Sequence, residues 1–185
     1  DEDPLRLMRA VRFCHAFGLR LAPGLDALMR AKAAEIVRAA PERVAAEMAR
    51  TLAGGCSAAA FRLWCDLELL CFVLPQAVGS GYVETVESVL DRLDRALGHL
   101  PAWFPRSFSA VTERMEIPVD GVWTRPAALR LAAVTHRLAP ADAVAAGRRL
   151  RLSTRMLSLM RATSRCFREG RCSQEAFKRA ALSPR

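Results

Sequence analysis

Apolar side chains return every three or four positions along most of this chain, which is the spacing of one helical face. Leu5, Met8, Val11, Cys14 and Phe17 follow one such series, and Val86, Val89, Leu90, Leu93 and Leu97 follow another. A half-buried strand needs strict alternation instead, and no segment here demands one. Ala and Leu dominate, glycines are few and β-branched residues never cluster. Each of these features favours helix nearly throughout. The chain therefore reads as all-α, a helical neck and body forming a multi-helix, bundle-like array. Its 185 residues can bury a core as one large domain or two small ones.

Local signals set the expected elements. Asp3 can cap a first helix, Pro4 suits its first turn and Gly18 its stop. Further helices are predicted over 23–38, from Pro41 to Leu52, over 57–66 with Ser57 as cap, and over 82–97. Residues 99–124 are rich in proline and aromatics and give no clear reading. Helices return over 125–137, 140–149, 153–168 and 173–181. A soft boundary near 76–82 separates an N-terminal unit, 1–75, from a C-terminal unit, 82–185.

Charge is distributed unevenly. Between Ala145 and Arg185 lie eleven basic residues and two acidic ones, the whole of the net charge of +9. Such a block attracts polyanions, nucleic acid above all. Arg148, Arg149, Arg151 and Arg155 cluster after Gly147, read here as a break, and are the candidate RNA contacts. The plainer reading is a solvated arginine-rich face.

Six cysteines (Cys14, Cys56, Cys65, Cys71, Cys166 and Cys172) form no C-x-x-C, and His15, His99 and His136 lie near no plausible ligand set. No metal site is expected in this chain. Cys14, Cys65 and Cys71 sit among apolar residues and read as small core residues, a usage that fits a reducing compartment. No apolar run is long enough for a membrane span.

The opening segment, Glu2-Asp3-Pro4-Leu5-Arg6, carries the most specific chemistry. A carboxylate at a helix cap and an arginine one turn later share one end of the helix. The carboxylate only accepts hydrogen bonds and the guanidinium only donates them. Cytosine and adenine each show an amino donor beside a ring acceptor, and both match such a pair. Uracil and guanine show a carbonyl beside an N–H and would meet like against like. Each unpaired group costs about 1–3 kcal/mol, enough to discriminate. The same residues also make an ordinary capped helix start. A metal site of Asp1, Glu2 and Asp3 is disfavoured, because adjacent side chains there diverge.

The stretch EDPLRLMRAVRFCHAFGLRL resembles the segment joining head to neck in class II tRNA nucleotidyltransferases, the CCA-adding enzymes, and in bacterial-type poly(A) polymerases. The family's EDxxR motif is matched by Glu2, Asp3 and Arg6, and its RAxRF by Arg9, Ala10, Arg12 and Phe13. The resemblance implies that Asp3 and Arg6 read incoming CTP or ATP without a nucleic-acid template. It implies that Glu2 orients Arg6 and places Arg9 near the nucleotide. APERVAAEM is similar to the family's neck helix and implies supporting roles for Arg43 and Glu47. LRLAAVTHRLAP resembles a body helix that carries His-Asp in some relatives; here Arg137 follows His136, so that phosphohydrolase pattern is absent. RLRLSTRM resembles the body segment that follows. The resemblance covers about residues 1–75 closely and 125–165 more loosely.

The implied activity is addition of CCA to tRNA 3′ ends, with ATP and CTP as substrates and Mg2+ held by a catalytic head. In the family that head lies ahead of EDxxR, so no catalytic residue is expected in this chain, which would be inactive alone. The implied partners are tRNA or another RNA 3′ end and nucleoside triphosphates. Three other readings stay open: a poly(A) polymerase, a helical RNA-binding protein without a head, and a module whose arginines meet an acidic protein. A bacterial protein would be cytoplasmic; a eukaryotic one would work in the nucleus, cytosol, mitochondrion or plastid. Oligomeric state is open.

Overall fold

The computed structural model describes residues 3–168 apart from 78 and 80, with side chains to Arg165. Glu2, the helix expected over 173–181 and the basic residues past Arg168 lie outside the described residues.

The first helix, α1 (Leu5–Phe17), begins where the sequence places it: the Asp3 carbonyl accepts from Arg6 N, and the Asp3 carboxylate accepts from Leu5 N. Gly18 closes it at φ 63°, a left-handed conformation suited to glycine. Leu5, Met8 and Val11 are buried, but Cys14 is half-buried and Phe17 is 68% exposed. A strict i, i+3 series drifts by about 60° per step around a helix of 3.6 residues per turn, so its later members leave the buried face.

The predicted helix over 23–38 divides at Lys32 into α2 (Leu25–Ala31) and a 3-10 helix, Ala33–Arg38. The buried residues Ala33, Ile36 and Ala39 explain the division. Their spacing of three matches the 3-10 repeat rather than the α repeat.

Next come α3 (Pro41–Ala53), α4 (Ser57–Asp66) and α5 (Leu69–Val73). Helix α3 packs against α1 and buries Val44, Ala45, Met48, Ala49 and Leu52. Helix α6 (Tyr82–Gly98) lies against α4. The unread stretch becomes α7 (Leu100–Trp103), α8 (Phe108–Glu116) and an antiparallel hairpin of β1 (Pro118–Asp120) and β2 (Trp123–Thr124). No alternation in the sequence demands these strands, because two- and three-residue strands are too short for it to register. The hairpin buries Trp123, and β2 touches α3. The chain then forms α9 (Arg125–Thr135), α10 (Pro140–Arg149) and α11 (Thr154–Arg168). The fold is all-α in class, and one apolar cluster runs from Leu5 through Trp64 and Leu90 to Leu131 and Met160.

Two local expectations change. Ser57 does not cap α4; the Asp94 carboxylate of α6 does, accepting from Ser57 N at 2.8 Å and from the Ser57 hydroxyl. Buried Arg130 completes this knot, donating Nε to Asp94 at 2.7 Å and Nη1 to the Leu52 carbonyl at 2.8 Å. The carbonyl end of α3 and the N–H end of α4 are thus satisfied by side chains from elsewhere. Gly147 is not a break. It lies buried inside α10, where a Cβ would come 2.4 Å from Leu157 Cδ2 and 3.0 Å from Met160 Sδ of α11. Its missing side chain permits the close approach of α10 and α11.

Candidate functional site

The start of α1 meets the start of α3. Asp3 Oδ1 accepts from Leu5 N at 3.1 Å, and Oδ2 accepts from Arg43 Nη2 at 2.8 Å. The backbone N–H of Leu5, and then the Arg43 guanidinium and the charge of Arg9, hold the Asp3 carboxyl below its ordinary range. Asp3 is therefore an anion at neutral pH. A carboxylate has about four lone-pair sites, so acceptor capacity remains after these two bonds. Arg6 sits one turn on, exposed on α1. Arg43 touches Asp3 directly, closer to the candidate reader than the supporting role read for it.

Glu47, 2% exposed, anchors α1 to α3. It accepts from Arg9 Nε at 3.4 Å, Arg12 Nε at 3.0 Å and Arg50 Nη1 at 2.8 Å. Three guanidiniums on one desolvated carboxylate fix the rotation of α1, and with it the direction of Asp3 and Arg6. Arg12 and Arg50 are part of this knot, though sequence reasoning gave neither a role. Their signals were present: Arg12 lies in RAxRF, and Arg50 follows Glu47 by three residues on the same helix. Arg12 also lies 4.4 Å over the Phe13 ring, and Phe13 stacks on Phe17 with centroids 5.8 Å apart.

The four C-terminal arginines do not form one cluster. Arg148 is exposed and makes no ion pair among the described residues. Arg149 donates to the Phe72 carbonyl at 3.1 Å. Arg151, at φ 52°, donates to Glu42 at 2.7 Å, one residue from Arg43. Arg155 stands on the first turn of α11, near Arg125. The tight turn between α10 and α11 separates them.

Among the described residues no group of three or more His, Cys, Asp or Glu could hold a metal ion. Cys65 is half-buried and its thiol is pushed up to about 12, chiefly by desolvation, so it is inert as a nucleophile. His136 is 4% exposed, and its Nδ1 lies against the Ala133 carbonyl. It is a structural residue of α9's end. No helix among the described residues is long and apolar enough to cross a membrane.

Fold and site together define a class: an all-α module whose N-terminal end is organised by carboxylate–arginine pairing and whose far end is rich in arginine. Comparison with known proteins makes this specific. Residues 18–78 match the family model described as "Probable RNA and SrmB- binding site of polymerase A". The chain is 31% identical over 152 residues to the multifunctional CCA protein of Thioalkalivibrio sulfidiphilus, covering 76% of this chain and 33% of that protein. It is 28% identical over 147 residues to the multifunctional CCA protein of Tolumonas auensis, covering 77% of this chain and 32% of that one. The chain thus spans about a third of the length of the curated relatives it matches. These matches support a neck and body region of the kind found in CCA-adding enzymes and poly(A) polymerases.

Proposed function

We propose that this chain is the neck and body of a template-independent RNA nucleotidyltransferase that adds CCA to tRNA 3′ ends. In this reading Asp3 and Arg6 select CTP and ATP, with Glu2 and Arg9 beside them, and Arg43 and Glu47 hold the reader in place. Arg148, Arg149, Arg151 and Arg155 contact RNA. The observation that carries the reading is the knot between α1 and α3. Asp3 is kept ionised with acceptor capacity to spare, and Glu47 fixes the helix that bears it. The likeness to multifunctional CCA proteins supports CCA addition.

Nucleotidyl transfer in the whole protein calls for Mg2+, which would be held outside the described residues. Selection by Asp3 and Arg6 follows from pairing alone. Asp3 accepts from an exocyclic amino group while Arg6 donates to the neighbouring ring nitrogen. A carbonyl facing Asp3 would leave two acceptors opposed and desolvated. The test is Arg6→Ala in the complete enzyme, with incorporation of all four nucleotides measured. Both rate and discrimination against UTP and GTP should fall. Unchanged selectivity would make Arg6 a plain helix residue.

Poly(A) addition is the second reading, favoured by the family match over 18–78, whose description names polymerase A. Wild-type enzyme offered CTP and ATP separately distinguishes the two. CTP incorporation supports CCA addition, and ATP alone supports poly(A) addition.

A further inference from the structure

Phe17 is 68% exposed and Phe13 40%, although the apolar period of α1 points to burial of Phe17. These are not scattered surface residues. Their rings stack on each other with centroids 5.8 Å apart and planes 27° from parallel, and the Arg12 guanidinium lies 4.4 Å from the Phe13 centroid. Arg12 is itself bonded to buried Glu47, so the cation is held in place over the ring. The pair also lines up with the candidate base reader. Seven and eleven residues past Arg6 are close to two and three whole helical turns, so Phe13 and Phe17 project within about 20° of Arg6. Along the axis they stand about 10 Å and 16 Å from it. Arg6, Phe13 and Phe17 are all exposed, and they make one continuous face of α1.

The charge around these rings has one sign. From Pro4 to Leu25 the sequence holds Arg6, Arg9, Arg12 and Arg20 and no acidic residue. Glu47 answers Arg9 and Arg12 from α3, but Arg20, three residues past Phe17, is exposed and pairs with no carboxylate among the described residues. An apolar protein segment would use the rings and gain nothing from the positive border. A single-stranded nucleic acid uses both, because its bases stack on exposed rings while its phosphates meet arginine. Resting on the RNA-binding reading above, we infer that Phe13 and Phe17 form a stacking platform for an unpaired base of the RNA. A stacked strand rises about 3.4 Å per nucleotide, so the platform takes a base about three to five nucleotides back from the one read beside Arg6. Every base has a π face, so the platform grips the strand without reading its sequence. Selection stays with Asp3 and Arg6, and Arg20 supplies a cation for a flanking phosphate.

The test uses the complete enzyme and a hairpin RNA with an unpaired 3′ tail that carries 2-aminopurine about four nucleotides from its end. On the wild type, binding should quench the 2-aminopurine fluorescence, as stacking on a ring does. Phe17→Ala and Phe17→Leu should each lose the quenching and bind the tailed hairpin roughly 5–20-fold more weakly, while Phe17→Tyr should keep both. Leucine separates the occupants, because it retains an apolar surface and lacks a ring face. If Phe17→Leu quenches and binds like the wild type while Phe17→Ala melts lower, protein covers this face and the platform is overturned. Arg20→Gln should lower the slope of log affinity against log salt by up to one phosphate contact, and Phe17→Leu should leave that slope unchanged. Equal binding and equal quenching in the wild type and all Phe17 variants overturn the platform and leave the RNA reading standing. RNA that fails to bind the wild type overturns both.

Discussion

Glu47 concentrates more of the candidate site's geometry than any other residue. Its carboxylate is dry, and three arginines converge on it. Those arginines keep 24–52% of their side chains exposed, so losing the charge should cost less than breaking a fully buried pair. Glu47→Gln is expected to lower the unfolding free energy by about 1–3 kcal/mol, read from urea denaturation. An unchanged midpoint would show that the knot is incidental. The histidines give a second expectation at this scale. Burial first, then Arg137 and Arg92, hold the His136 imidazole below its ordinary value of about 6.5, and burial does the same at His15. The unfolded chain then takes up protons more readily than the folded one. This stability is present above about pH 6.5 and is lost as pH falls toward the folded values. The melting temperature should fall between pH 7 and pH 5, and His136→Asn should make that fall shallower while His15 retains its share. At the residue level, the sequence revealed types and motif positions, so Asp3, Arg43 and Glu47 stood out. The partner of each arginine was not legible, because Arg9 and Arg12 reach Glu47 across 38 and 35 residues of chain.

Elements whose ends carry their own signals were legible; elements defined by a neighbour were not. Helix α1 has its cap, proline and left-handed glycine in the sequence, and its bounds follow. Helix α4 borrows Asp94 from α6 for its cap, and the split at Lys32 follows a burial period that shows only once the packing is known. Gly147 is the instructive failure. Glycine inside a helix reads as a stop, yet here it is a contact point. Gly147→Ala should gain about 1 kcal/mol of helix propensity and lose about 1–3 kcal/mol to overpacking against Leu157 and Met160. Leu157 is half-buried and can yield, whereas Met160 is fully buried, so a net loss of about 1 kcal/mol is expected. In a Leu157→Ala background the penalty of Gly147→Ala should shrink, as a double-mutant cycle would measure. Equal penalties in both backgrounds would place the strain elsewhere.

On the scale of the whole molecule, the excess positive charge was visible in composition, but its deployment depends on the fold. Arg151 is engaged by Glu42 and Arg149 by the Phe72 carbonyl, while Arg148 stands exposed without an ion pair among the described residues. A cation already bonded within the protein must give up that bond to meet a phosphate, so equal charges should contribute unequally to RNA binding. Each phosphate contact adds about 0.7–0.9 to the slope of log affinity against log salt. Arg148→Gln should therefore remove nearly one contact from that slope, and Arg151→Gln distinctly less. Glu42 supplies the converse. Its carboxyl is held below the ordinary range by its own backbone N–H first and by Arg151 second, so it is charged at neutral pH. Glu42→Gln deletes an anion from the surface and releases Arg151, and RNA should bind more tightly with a steeper salt slope. Fluorescence anisotropy with one hairpin RNA at several salt concentrations ranks all three variants. If Arg148→Gln and Arg151→Gln flatten the slope equally, the intramolecular pair does not persist in solution, and the tie between the far arginines and the start of α3 is absent from the working protein. If Glu42→Gln alone steepens the slope, that pair restrains RNA binding, and the end of the module that holds Asp3 and Arg6 is coupled through Glu42 and Arg43 to the end that holds Arg148 and Arg151.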